Sequence, residues 1–181
     1  MSNIKKVVLI GPESTGKTTL AKQLAKHYRT IWVEEYAREY IDGLNRPYEQ
    51  SDLLNIAQRQ LLAEAKQIKK ANQVLFCDTD LIVIEIWSKV KYGKCDKWIL
   101  EQVKNRHYDL YLLCGTDVPW EYDAQREHPE FRNELFEMYE LKLIEHNKKY
   151  CKIIGNKSIR LKKAIEIIDK LLLIKKQNCN L

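Results

Sequence analysis

Glycine and proline are scarce in this 181-residue chain, which has 6 Gly and 4 Pro and no repeated or low-complexity segment. This composition excludes collagen-like and disordered classes, and no segment has the composition of a linker. No run of residues approaches the ~18 apolar residues that a membrane helix needs. We therefore expect a single domain over residues 1–181, located in the cytoplasm and without contact to a membrane.

Paired cysteines and clustered charge are also absent. The five cysteines form no CxxC pair and have no spacing typical of zinc ligands, so we expect reduced, structural thiols. The net charge is +6, from 31 Lys and Arg against 25 Asp and Glu. Because the lysines are scattered and no basic and aromatic recognition motif accompanies them, a nucleic-acid partner is not expected. A mildly positive surface does suit a protein that handles phosphorylated substrates.

What the chain does contain is a glycine loop between an apolar run and a helical segment. Residues 11–18 read GPESTGKT and directly follow the apolar residues 7–10. In this pattern the glycines let backbone N–H groups point at phosphates, the lysine reaches the β- and γ-phosphates, and the last hydroxyl can bind Mg²⁺. The sequence therefore predicts a nucleoside triphosphate site. Its candidate residues are Gly11, Glu13, Ser14, Thr15, Gly16, Lys17, Thr18 and Thr19.

Short apolar strands alternate with helical patterns along the whole chain. The pattern predicts strands over 7–10, 30–34, 73–78, 108–114 and 151–154. One helix is predicted to start at Thr18, and three more are predicted over 49–71, 80–92 and 97–106. A fifth helix contains the apolar positions Phe131, Leu135, Met138, Leu141 and Ile144, and a sixth lies at the end of the chain with Ser158 as its cap. This order predicts an α/β fold with a five-stranded parallel sheet and helices on both faces. With the glycine loop after its first strand, the predicted fold resembles P-loop NTPases of the nucleoside and nucleotide kinase type.

Carboxylates follow two of these strands, at the edge where a parallel sheet binds its ligands. Asp78 ends the strand 73–78 and is the candidate metal ligand beside Thr18, although Asp78 and Thr79 could instead only cap the next helix. Asp80 is a candidate for binding substrate hydroxyls or assisting the metal. Glu35 follows the strand 30–34 and is the candidate base for an acceptor hydroxyl, with Glu34 as the alternative.

Three further residues are candidates for binding the acceptor. Tyr36 and Arg38 follow Glu35, and Arg38 could hold the acceptor or a phosphate; an exposed helix start with a Glu35–Arg38 pair is the alternative. Trp120 offers a stacking face, and packing in the interior is equally compatible with it. The acceptor site therefore rests on residue types rather than on a spacing.

The segment 116–132 is long for a loop in a compact domain and predicts a lid. Arg126 in this segment could close onto the phosphates, neutralise developing charge and exclude water, so that phosphate passes to a substrate instead of to solvent. An ordinary surface loop is the alternative.

Residues 155–159, GNKSI, are similar to the guanine-recognition element of GTPases. Ile159 stands where an aspartate would accept hydrogen bonds from guanine, and residues 78–81 lack the glycine of a GTP switch, so a switch is disfavoured. Asn156 and its neighbours are instead expected to flank adenine. Two classes remain: a small-molecule kinase, and an ATPase that regulates a protein partner.

Taken together, these motifs resemble the ribosylnicotinamide kinase domain of NadR-type NAD-biosynthesis proteins. The resemblance covers nearly the whole chain and rests on residues 11–20, 35–39, 76–80, 108–113, 119–120 and 126–127. It implies ATP-dependent phosphorylation of the 5′-hydroxyl of nicotinamide riboside, with Asp78 near Mg²⁺ and Arg126 in the lid. The lid of that family usually reads Asp-Gly-x-Arg, whereas Ala124 stands here in place of the glycine.

Overall fold

The fold was analysed in a computed structural model that describes residues 4–123 and 130–178, with side chains up to residue 173. The strands are β1 (Lys5–Ile10), β2 (Trp32–Val33), β3 (Val74–Asp78), β4 (Leu110–Cys114) and β5 (Tyr150–Ile153). The helices are α1 (Lys17–His27), α2 (Tyr36–Asp42), α3 (Gln50–Gln67), α4 (Leu81–Tyr92), α5 (Lys97–Asn105), α6 (Arg132–Glu145) and α7 (Lys157–Asn178), and a 3₁₀ turn (Ile68–Lys70) follows α3.

The strands form one sheet in the order β2-β3-β1-β4-β5, and every neighbouring pair is parallel. Both neighbours of the central strand, β3 and β4, are buried at every position, as expected for a parallel sheet covered on both faces. The five-stranded parallel α/β fold predicted from the sequence is thus confirmed. All five strands end at the same edge, with the glycine loop after β1 at its centre.

Alternation along β1 divides the core between the two faces. Val8 and Ile10 pack with the buried residues of α2, α3, α4, α5 and α6, whereas Val7 and Leu9 pack with those of α1 and α7. Successive side chains of a strand point to opposite faces, so this four-residue apolar run serves both layers. The helices therefore cover both faces, as predicted.

The helix predicted through Leu135, Met138, Leu141 and Ile144 is confirmed as α6, whereas the predicted cap of α7 was wrong. On α6 the buried side chains are Tyr139 and Leu143, whereas Leu141 and Ile144 are 64% and 57% exposed, because apolar residues occur on more than one side of this helix and do not define its buried face. The cap of α7 is Asn156 rather than Ser158: its Oδ1 accepts the Ile159 N–H at 3.0 Å, and the helix already begins at Lys157.

The described residues contain no helix that is long and apolar enough to cross a membrane. Cys77, Cys95, Cys114 and Cys151 are free thiols, as the sequence predicted. Cys179 lies outside the described residues.

Candidate active site

The glycine loop between β1 and α1 needs glycine at two positions. Gly11 has a φ of +141°, and a Cβ there would lie 2.6 Å from the backbone oxygen of Cys114 on β4. Gly16 precedes α1 with a φ of +75° and has open space around it. Inside the loop the Thr15 hydroxyl donates to the Pro12 oxygen at 2.7 Å. The loop is therefore pressed against β4 and delivers the free N–H groups of the α1 N-terminus to the edge of the sheet, a site suited to phosphate.

Lys17 opens α1 and lies across the loop. Its Nζ donates to the backbone oxygens of Gly11 and Pro12 at 2.9 and 2.7 Å. These bonds hold one positive charge directly over the phosphate-binding backbone.

Thr18 and Asp78 join α1 to the end of β3. The Thr18 hydroxyl donates to Asp78 Oδ2 at 2.5 Å, and Asp78 Oδ1 is buried without a hydrogen-bond partner among the described residues. Burial, followed by the nearby Glu35 carboxylate, raises the pKa of Asp78 to about 6. A buried carboxylate oxygen without a hydrogen-bond partner is well suited to bind a cation.

The next residue, Thr79, has an unusual backbone. Its φ is +81°, a region that β-branched residues rarely occupy and that costs about 1–3 kcal/mol. Its N–H donates to the Leu9 oxygen at 3.0 Å, while its buried hydroxyl has no partner among the described residues. Strain of this kind is usually found at functional sites, and here it directly follows Asp78.

Asp80 is placed differently from the substrate role expected for it. It is 3% exposed, one oxygen accepts the Ile82 N–H at 3.1 Å as the cap of α4, and the other accepts the Tyr111 hydroxyl at 2.8 Å. Burial raises the pKa of Asp80 to about 7. Asp80 is also absent from the described lining of both cavities presented below. The helix cap, which the sequence left open for Asp78 and Thr79, is therefore formed by Asp80.

Glu35 and Arg38 stand together where β2 leads into α2. Arg38 Nε lies 3.6 Å from Glu35 Oε2, and its Nη1 donates to Asp123 Oδ2 at 2.8 Å. The turn before α2 is fixed by Gln60 of α3, which is 1% exposed: its Oε1 accepts the Tyr36 N–H at 2.8 Å and its Nε2 donates to the Glu34 oxygen at 3.2 Å. Sequence reasoning missed Gln60, because one glutamine in an amphipathic helix carries no signal.

The described part of the predicted lid, residues 116–123 and 130–132, contacts the glycine loop. The Glu121 N–H donates to Ser14 Oγ at 2.8 Å, and Arg132 donates to the backbone oxygens of Ser14 and Val118. The Arg132 guanidinium lies 5.8 Å from the Trp120 ring centroid. Arg126 lies outside the described residues.

Arg160, near the start of α7, is the second residue that sequence reasoning missed. It is 4% exposed, and it donates to the oxygens of Gly155, Thr15 and Gly115 and to Asp117 Oδ1. Asp117 Oδ2 in turn accepts the Gly155 N–H. Although burial opposes it, this amide and the Arg160 charge hold the pKa of Asp117 below its usual range.

Two cavities open at this edge of the sheet. One of about 500 Å³ follows the glycine loop from Asp117 and Asn156 to an apolar wall on α4 and α6 that includes Trp87 and Tyr139. One of about 470 Å³ lies between α1, β2 and α3. The first cavity is lined by all eight candidate residues of the glycine loop and by Asn156, Glu35 and Arg38.

The second cavity contains Asp78 and Tyr36, and the two cavities share Thr18, Glu35 and Arg38. Trp120 is absent from the described lining of both. The structure thus brings most of the predicted site residues to one place and leaves Asp80 and Trp120 to its side.

The fold and this loop define a P-loop nucleotide-binding domain. A family model described as an AAA domain matches residues 6–160, and the chain belongs to this family. The trifunctional NAD biosynthesis/regulator protein NadR of Escherichia coli K12 is 30% identical over 154 residues, which cover 78% of this chain and 37% of that protein.

Two solved NadR structures are also similar to this chain. The crystal structure of NadR in complex with NR has a TM-score of 0.72 and 27% identity, and the structure of NadR with NAD and AMP-PNP has a TM-score of 0.72 and 26% identity. Each match covers 92% of this chain and 49% of the other. The chain spans less than half the length of the NadR proteins it matches, and the resemblance to NadR found in the sequence is confirmed.

Proposed function

We propose that this chain is an ATP-dependent, magnesium-requiring kinase that phosphorylates the 5′-hydroxyl of nicotinamide riboside to give nicotinamide mononucleotide, a step of NAD salvage. The observation that carries the proposal is the position of Glu35 and Asp78 beside the phosphate loop, in a chain that is similar to NadR crystallised with NR.

The donor ATP would lie along the first cavity. Its phosphates would accept hydrogen bonds from the backbone N–H groups of the glycine loop and from the Lys17 ammonium. To bind the phosphates, Lys17 would exchange its hydrogen bonds to the Gly11 and Pro12 oxygens for bonds to the nucleotide. Its base would lie between Asp117 and Asn156, at the end of the cavity formed by the loops after β4 and β5. The NadR complex with AMP-PNP supports an adenine nucleotide as donor.

Thr18 and Asp78 fit a magnesium ion. Both present oxygen atoms, and Asp78 Oδ1 is buried without a partner among the described residues. Mg²⁺ in phosphotransferases is held by one or two protein oxygens together with substrate phosphates and water. The described residues contain no group of three or more acidic, His or Cys side chains suited to a metal, which agrees with that arrangement. When bound there, the ion neutralises charge on the phosphates.

The acceptor would lie where the two cavities meet. Glu35 is at this junction, 23% exposed, and can accept the proton of an acceptor hydroxyl while Arg38 orients the carboxylate from 3.6 Å. Arg38 also has Asp123 as a partner at 2.8 Å. Because this cation is already balanced by two carboxylates, an acceptor without a phosphate fits better than a nucleotide.

Arg126 remains our proposed lid residue. Its charge on the transferring phosphate would raise the transfer rate and keep water from competing with the acceptor.

The test is incubation with ATP and Mg²⁺ alone and with nicotinamide riboside, adenosine, thymidine or uridine, followed by mass spectrometry of the products and measurement of ADP. We expect nicotinamide mononucleotide, and ADP release that depends on nicotinamide riboside. Lys17→Ala should lower turnover by ~10²-fold or more, whereas Lys26→Ala, at an exposed position near the end of the same helix, should not change it.

Each alternative gives a different result. Phosphorylation of another nucleoside would support the assignment as a kinase and would show that nicotinamide riboside is not the acceptor. ADP release that no nucleoside stimulates would reject the kinase and favour an ATPase that acts on a protein partner.

A further inference from the structure

Arg160 is buried at the wall of the first cavity, and every side-chain hydrogen bond the structure gives it goes to a loop at the carboxyl edge of the sheet. Its Nη1 lies 2.6 Å from the Thr15 oxygen in the glycine loop, and its Nη2 lies 2.9 Å from the Gly115 oxygen at the end of β4. Its Nε lies 2.7 Å from the Gly155 oxygen after β5. One guanidinium therefore joins the loops that follow β1, β4 and β5.

The remaining contact is an ion pair that fixes the guanidinium plane. Arg160 Nη2 lies 2.5 Å from Asp117 Oδ1, and Asp117 Oδ2 accepts the Gly155 N–H, also at 2.5 Å. Gly115 leaves room for this carboxylate, since a Cβ at that position would lie 2.8 Å from Asp117 Oδ1. Because four of the five guanidinium N–H groups have acceptors, the side chain has a single orientation.

The joined loops belong to different parts of the proposed donor site, and the inference therefore rests on the proposed function. Thr15 lies in the phosphate half, whereas Asp117 and Gly155 line the other end of the same cavity, where the base would lie. We propose that Arg160 is a positioning residue for the donor nucleotide: its guanidinium fixes the distance between the phosphate-binding loop and the base-binding loops.

The phosphate half has supports of its own. The Thr15 hydroxyl donates to Pro12, Lys17 donates to Gly11 and Pro12, and Arg132 donates to Ser14. The loop after β4 also contacts the glycine loop near Ser14 through Glu121 and Arg132. For the loop after β5, the described side-chain link to the glycine loop is Arg160, with Asp117 bound to both Arg160 and Gly155. Loss of the guanidinium should therefore weaken recognition of the base far more than recognition of the phosphates.

Arg160→Lys tests this distinction, because lysine keeps the positive charge near the phosphates and loses the planar fork. Calorimetry in the presence of Mg²⁺ would measure binding of ATP and of tripolyphosphate, which has phosphates and no base. We expect ATP to bind at least 10-fold more weakly to the variant and tripolyphosphate to bind within twofold of the wild type.

Two further variants complete the experiment. Arg106→Lys is the matched control. Arg106 is also held by a carboxylate, Glu64 at 2.8 Å, but it precedes β4 at the opposite edge of the sheet. We expect ATP and tripolyphosphate to bind this variant as they bind the wild type. Asp117→Asn keeps the size of the side chain and removes the charge. We expect this variant to bind ATP about 3- to 10-fold more weakly and to bind tripolyphosphate with unchanged affinity. If Arg160→Lys fails to fold, the binding of ATP and tripolyphosphate to Asp117→Asn decides whether the inference holds.

Unchanged ATP binding, or an equal loss for ATP and tripolyphosphate, would overturn the inference. A wild-type protein that does not bind ATP would overturn both the inference and the donor half of the proposed function. If ATP binds as expected and nicotinamide riboside is not phosphorylated, only the proposed acceptor is wrong, since neither binding measurement uses an acceptor.

Discussion

Gly11→Ala should destabilise the protein much more than Gly16→Ala, although both glycines lie in the same loop with positive φ. At Gly11 two costs add: a φ of +141°, worth about 1–3 kcal/mol, and a Cβ placed 2.6 Å from the Cys114 oxygen, for which overpacking adds about 1–3 kcal/mol. Alanine also restricts the unfolded chain, which returns about 0.4–1 kcal/mol. The net loss is about 3 kcal/mol, or about 6–12 °C in Tm for a chain of this size.

For Gly16→Ala only the backbone conformation costs free energy, without a steric clash. Its φ of +75° costs about 1–2 kcal/mol in the left-handed region, and nothing lies within 4 Å of the added Cβ. The expected net loss is about 1 kcal/mol, or about 2–4 °C. Urea unfolding of both variants without nucleotide measures the difference. Equal losses would show that contact with β4 does not control the position of the loop.

Three further predictions concern residues that the fold buries. Asp78→Asn should lower turnover by about 10²-fold or more and raise the stability of the metal-free protein by up to about 3 kcal/mol at pH 7.5, because the folded state raises this pKa from 3.8 to about 6. Wild-type stability should therefore fall as pH rises from about 4 to about 6, and urea unfolding that finds the same slope in the variant would contradict this. Asp52, whose pKa is held low chiefly by Arg46, accepts the Glu49 N–H in the capping box of α3; Asp52→Asn should cost about 1 kcal/mol above pH 4, because solvent screens the exposed Arg46. That difference should shrink as pH falls further through the lowered pKa, and a cost independent of pH would reject the ion pair as its source. Gln60→Met should lower kcat about 10-fold through the loosened Glu35 turn while KM for ATP stays constant; a raised KM for ATP would show that the effect is not local.

The order of strands and helices could be predicted because each strand from β1 to β4 contains an apolar run followed by a polar residue or a glycine. Prediction was weaker where several residues compete for one role. Asp78, Thr79 and Asp80 are all good helix caps in the sequence, and the structure gives that role to Asp80, whose other oxygen accepts the Tyr111 hydroxyl from a strand 31 residues further along. Tertiary contacts of this kind have no local signal.

The site was predictable where spacing reflects local geometry, as in the glycine loop. Gln60 and Arg160 could not be found in the same way, because each acts on backbone atoms of distant segments, and any residue can supply a backbone oxygen or amide. One of the four glutamines on α3 and the arginine on α7 resemble ordinary surface residues until the fold brings those segments together.

Strand β2 forms one margin of the sheet and consists of Trp32 and Val33 alone. A row of unpaired backbone groups at a sheet margin is a template on which another polypeptide can add a strand. With so few residues on this side, a foreign chain would find room for only a few hydrogen bonds before α2 turns the backbone away. The brevity of β2 should therefore disfavour fibrillar assembly through this margin.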